Sequence, residues 1–123
     1  MAYKIEINVE TRTVWVFHSG AVDLIDMESG RSQAVALLTQ QGYSRLMVDT
    51  RHIEQGPTLT EHHRFAASQP LYMPLHVAVA VLLRPVELKQ PPPFERLSVE
   101  RGVQMRAFTN LDEAQAWLMR ITN

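Results

Sequence analysis

At the start of the chain Tyr3, Ile5, Ile7 and Val9 alternate with Lys4, Glu6, Asn8 and Glu10. A period of two is that of a strand with one covered face, so Ile5 and Ile7 are expected to face inward and Glu6 and Asn8 outward. The polar stretch Glu10 to Arg12 separates this run from Thr13 to His18, where β-branched and aromatic residues occupy both faces. A gap this short cannot hold a crossover helix, so the two runs predict an antiparallel hairpin. Ser19-Gly20 then reads as a turn.

From about Val22 to Gln41 the period lengthens to that of a helix, with Leu24, Met27, Ala34, Val35 and Leu38 on one stripe. Ser29-Gly30 is its weak point and Gly42 its stop. Leu46, Met47 and Val48 form a continuous apolar run ending at Asp49, as in a strand covered on both faces. Arg51 to Pro57 is expected to be a loop. Thr58 or Thr60 can cap a helix to about Ser68, with Glu61 in its first turn and Pro70 and Pro74 around its exit. His76 to Leu83 reads as a buried strand. A stiff loop at Gln90 to Pro93, with polyproline character, leads into a helix from Phe94 to about Glu100. Val103 to Phe108 alternates as a last strand. Asn110 and Glu113 have capping-box spacing before the stripe Leu111, Ala114, Trp117, Leu118 and Ile121.

The order is therefore ββαβαβαβα. It predicts one α/β domain over residues 1–123, with a mixed, mostly parallel five-stranded sheet, an N-terminal antiparallel hairpin and about four helices. Composition removes several function classes. With 12 basic and 13 acidic side chains, no excess of positive charge points to nucleic acid. Cysteine is absent, which excludes disulfides, thiolate metal sites and a cysteine nucleophile, and a cytoplasmic location is compatible with this. The longest apolar run, Val77 to Leu83, is far shorter than the about 20 residues that span a bilayer, and the N-terminus lacks a signal-peptide core.

No nucleophile elbow, dinucleotide fingerprint, phosphate loop or zinc-protease helix motif occurs. His52, His62 and His63 are the nearest approach to a metal cluster. Adjacent helical residues point about 100° apart, though, so His62 and His63 do not serve one ion, and no metal or cofactor is expected. Trp15, Phe17 and Trp117 are expected in the core. Asp49, Arg51 and His52 end a central strand, where open α/β sheets bind ligands, and the helix start near Thr58 offers free N–H groups. The plainer reading has Asp49 accepting backbone hydrogen bonds and Arg51 solvated. Nothing marks a substrate pocket, so no catalytic residue is assigned.

RLMVDTR at 45–51, HVAVAVL at 76–82 and RGVQMRAFTNLDEAQAWL at 101–118, with Ala114, Trp117 and Leu118 closing a strand–turn–helix ending, resemble the SpoIIAA-like branch of the STAS superfamily in order and spacing. The resemblance spans nearly the whole chain. It implies a non-enzymatic regulatory module that docks a protein partner; the strand-end and helix face around Arg51 to Phe65 is then the expected surface, with Asp49, Arg51, His52, Thr58 and His62 as the candidate partner- or ligand-binding residues. The alternative is a carrier or sensor of a small lipophilic or nucleotide-like ligand held between sheet and helices. A homodimer is compatible with either. Antagonists of this type carry a phosphorylated serine in an Asp-Ser-Ser-Gly-like motif. The equivalent stretch here is Gly56-Pro57-Thr58-Leu59-Thr60, which lacks the acidic residue and the glycine. Thr58 is the only candidate, and phosphorylation there is not expected.

Overall fold

The computed structural model describes residues 2–88 and 94–122. Within them lie the strands β1 (Tyr3–Asn8), β2 (Thr13–Ala21), β3 (Arg45–Gln55), β4 (Ala78–Leu82) and β5 (Gln104–Phe108). The helices are α1 (Leu24–Gln41), α2 (Leu59–Tyr72), the short α3 (Phe94–Val99) and α4 (Leu111–Ile121), with a 3-10 turn at Pro85–Leu88. The strands form one mixed sheet in chain order, β1-β2-β3-β4-β5. The β1–β2 pair is antiparallel, from Tyr3 opposite His18 to Asn8 opposite Thr13, and the other three pairs are parallel. The loop at Gln90 to Pro93 lies outside the described residues.

Successive parallel strands require crossovers of one hand, which puts α1, α2 and α3 on the same side of the sheet. Their core holds Val14, Val16, Leu46, Val79, Val81 and Met105 of the strands, with Ala34 and Leu38 of α1. On the opposite side α4 packs Ala114, Trp117 and Leu118 against Met47, Ala78, Ala80 and Leu82. The alternation of Ala78, Ala80 and Leu82 with Val79 and Val81 explains the unbroken apolar run: both faces of β4 are covered.

Several expectations are corrected. Ile7 is 37% and Val9 71% exposed, whereas Ile5 packs against the core and Glu6 is exposed. The cause is that β1 is an edge strand held by α1 mainly at its start. There the Tyr3 hydroxyl shares a hydrogen bond with Ser29 and accepts one from Gln33 Nε2 at 2.8 Å. Asn8 is half-buried because its side chain accepts the Thr11 N–H of the hairpin turn, where Arg12 adopts a left-handed φ of 51°. Ser19-Gly20 is no turn. It continues β2 past two register shifts, pairing Ser19 with His52, Gly20 with Ile53 and Ala21 with Gln55. The same pairing makes residues 51–55 strand rather than loop. Helix α1 runs unbroken through Gly30, which lies against His18 and Val16.

Helix α2 continues through Pro70 to Tyr72. A mid-helix proline removes one donor and crowds the preceding turn. The following turn is nevertheless fixed by Met73 N–H donating to the Gln69 carbonyl at 2.8 Å and by tertiary contacts of Gln69 and Tyr72 described below. Trp117 is buried as expected, but Trp15 and Phe17 are only half-buried. Helix α4 lies over β4 and β5, which leaves the β1–β2 end of that face open.

Candidate functional site

Because α1, α2 and α4 each follow a strand, their N-termini meet at the edge where the parallel strands end. Each start is capped. Asp23 and Asp26 form a reciprocal box at α1, as Thr58 and Glu61 do at α2, and Asn110 accepts the Glu113 N–H at α4. Glu61 also joins two helices. One carboxylate oxygen accepts the Thr58 N–H at 2.9 Å and the other the Leu24 N–H at 2.7 Å. These bonds to Thr58 and Leu24 hold its carboxyl below the usual carboxylate range. The carboxylate thus sits where an external anion would meet the start of α2.

Behind this edge, between the sheet and α1 and α2, lies a cavity of about 260 Å³. Its apolar wall includes Val16, Leu46, Val48, Val79 and Val81 from the strands and Met73 beyond α2. Gly56, Pro57, Ile53 and Arg84, near the strand ends, border it on the rim side. Thr50, whose hydroxyl donates to the Leu82 carbonyl at 2.7 Å, lines it as well.

Of the charged side chains in this wall, which include Glu54, Arg84 and Glu87, Arg31 is the most deeply buried, only 5% exposed. Its Nη1 donates to Ser68 Oγ and Gln69 Oε1, both at 2.9 Å, and its guanidinium lies 4.4 Å from the Phe65 ring centroid and 4.9 Å from that of Tyr72. All of these partners are neutral. Its Nε is buried and has no hydrogen-bond partner. Burial lowers its pKa, against the opposing fields of Glu28 and Tyr72, but an arginine stays charged in this setting. His18 also lines the cavity. Burial pushes its pKa down, opposed by Asp26 and the Ala2 carbonyl. His62 lines it too and is lowered chiefly by burial.

The sheet divides the residues singled out in the sequence. Asp49 is 2% exposed and shares the α4 side with Met47. It accepts Arg51 N–H and Nε–H through Oδ1, each at 3.0 Å, and Arg51 Nη2–H through Oδ2 at 2.9 Å. Burial acts to raise its pKa, and the hydrogen bonds from Arg51 outweigh that and lower it. Arg51 borders a shallow groove with Trp15, Phe17, Glu6 and Leu111. His52 is exposed and makes a small electrostatic contribution to the lowering at Asp49. Of the five residues, only His62 lines the cavity, and Thr58 is exposed above it as the cap of α2. Among the described residues no group of three or more His, Asp or Glu side chains is placed to hold a metal ion.

Arg31 and Gln69 were missed by sequence reasoning. The signal was present. Arg31 falls on the stripe Met27, Ala34, Leu38, and Gln69 on the stripe Ala66, Met73, so two polar side chains stand on inward faces.

No family model matches the chain, and no curated protein matches it in sequence. Solved structures do match. An anti-sigma factor antagonist from Mycobacterium paratuberculosis superposes with a TM-score of 0.61 at 14% identity, covering 95% of this chain and 92% of that one. An uncharacterised protein with a SpoIIAA-like fold from Shewanella loihica gives 0.60 at 17% identity, covering 95% and 92%. The anti-sigma factor antagonist SpoIIAA in its unphosphorylated form gives 0.59 at 14% identity, covering 96% and 98%. The architecture is thus an α/β fold with one mixed sheet and a hairpin start. More narrowly, the chain has the SpoIIAA-like fold. Among the described residues no helix is long and apolar enough to cross a membrane.

Proposed function

We propose that this chain is a non-catalytic regulatory module of the STAS type that acts by docking another protein. Its docking face is the rim where α1 and α2 begin. The observation that carries this reading is the pair Ile25 and Leu59, 74% and 62% exposed, in the first turns of two helices that Glu61 ties together. Large aliphatic side chains held in water on a pre-organised surface are what a partner would bury. Val86, 68% exposed, lies beside Arg84 and Glu87, which border the cavity. Two fold neighbours are antagonists of anti-sigma factors and so act against another protein. In this reading Thr58 serves as a helix cap and not as a phosphorylation site.

The test is quantitative co-purification from the native host with three forms of the chain. Wild type should retain a stoichiometric protein partner. The double substitution Ile25→Arg, Leu59→Arg should lose it, and Val9→Arg, on the hairpin, should keep it. Retention by the rim variant, or no partner with wild type, refutes the proposal.

A further inference from the structure

We propose that the cavity between the sheet and α1–α2 is a binding site for a small amphiphilic carboxylate, its anionic head on Arg31 and its apolar tail along the valine-lined sheet. This does not depend on the docking proposal, since it concerns the interior and not the rim.

Arg31 is a buried charge that feels the field of Glu28 but touches no carboxylate among the described residues. Taking a guanidinium out of water is costly unless an anion or a full set of acceptors replaces the solvent. Arg31 is 5% exposed, and none of the ion pairs among the described residues involves it. Ser68 and Gln69 satisfy one amino group, and two aromatic faces lie near the planar cation. The Nε–H is left buried with no acceptor. Guanidinium donors are arranged as a fork that matches two carboxylate oxygens. A carboxylate would supply a directly paired charge and an acceptor for the Nε–H.

The remainder of the wall sets the other half of the molecule. Val16, Leu46, Val48, Val79 and Val81 offer no hydrogen bonds from their side chains, and Met73 adds an adaptable thioether. A volume of about 260 Å³ is at the small end of ligand cavities. It suits a single unbranched chain of medium length, not a dinucleotide or a two-tailed lipid. A second anionic group would meet Glu54 and Glu87 in the same wall, which favours a monocarboxylate.

The probes are decanoate, decanol and acetate, titrated calorimetrically into wild-type protein below the aggregation threshold of the amphiphiles. Methyl NMR shifts locate the site. Decanoate should bind about tenfold or more tightly than decanol, the usual worth of a charge-assisted hydrogen bond, and far more tightly than acetate, which has no tail. Its shifts should centre on Val16, Val48, Val79 and Val81. Arg31→Gln should abolish the preference for acid over alcohol while keeping the alcohol's affinity. If that variant does not fold, the wild-type comparison decides alone. Equal binding of acid and alcohol, acetate binding as well as decanoate, shifts confined to the outer surface, or no binding at all each overturns the proposal.

Discussion

Replacing Trp117 by alanine should cost the domain about 3–5 kcal/mol, the range for deleting a large buried aromatic. The indole is 7% exposed and packs against Phe108, with ring centroids 5.7 Å apart. Its other neighbours in the cluster include Ala78 and Ala80, whose small side chains leave the room the ring fills. An aromatic of this size buries roughly 200 Å², which at about 25 cal/mol/Å² is about 5 kcal/mol, an upper figure because the unfolded chain already hides some of it. The alanines have nothing with which to refill the space, so the cavity persists. Stability for 123 residues is on the order of 6–18 kcal/mol, so the variant should fold with a much lower midpoint. Urea denaturation followed by far-UV circular dichroism measures this directly, with an unchanged m-value showing that the two states compared are the same. A loss below about 1 kcal/mol would mean that α4 does not close that side of the sheet.

Further outcomes follow from four individual residues. Thr58→Ala removes the acceptor of the Glu61 N–H and should cost about 1 kcal/mol in the same assay, while intact-mass analysis of the native protein should show no phosphate on Thr58. Burial lowers the His18 pKa from 6.5, so the unfolded chain binds more protons there; stability should be full above pH 6.5 and fall as the pH drops below it, and His18→Gln should flatten that slope. Gly30→Ala should stabilise by about 0.5–1 kcal/mol, since its new Cβ would meet His18 at an ordinary 3.4 Å, whereas Gly42→Ala, at a φ of 70°, should destabilise by about 1 kcal/mol.

The fold was legible wherever one local rule governed a segment. The alternation at Tyr3 to Ile5, the double-faced apolar run at Val77 to Leu83, the cap at Asn110 and the choice of Thr58 or Thr60 as the start of α2 each mark their element without outside help. Legibility failed where a neighbour decides. Ser19-Gly20 has turn chemistry, but the second half of β3 draws it into the sheet. Pro70 signals a helix end, yet α2 is carried past it by Gln69 and Tyr72 meeting Arg31. Ile7 has the pattern of a core residue and lies beyond the cover that α1 gives the edge strand.

The site was legible in part. The sequence pointed to the strand-end edge, and the helix starts and the rim of the cavity lie there. It grouped Asp49 and Arg51 with His62, but the sheet stands between them: Asp49 and Arg51 pair with each other on the α4 side and His62 lines the cavity. Side-chain parity along β3 is fixed by which face Met47 and Val48 take, and both are apolar. A charged residue on an apolar helical stripe, Arg31, was the stronger clue to the interior.

The most direct test of the docking account is site-specific photocrosslinking in the native host, with a photoreactive phenylalanine analogue at Leu59, at Ile25 or at Val9. Adducts of one defined mass from Leu59 and Ile25, identified as the same protein and absent from Val9, are the predicted result. No adduct from either rim position, or the same adduct from all three, would contradict it.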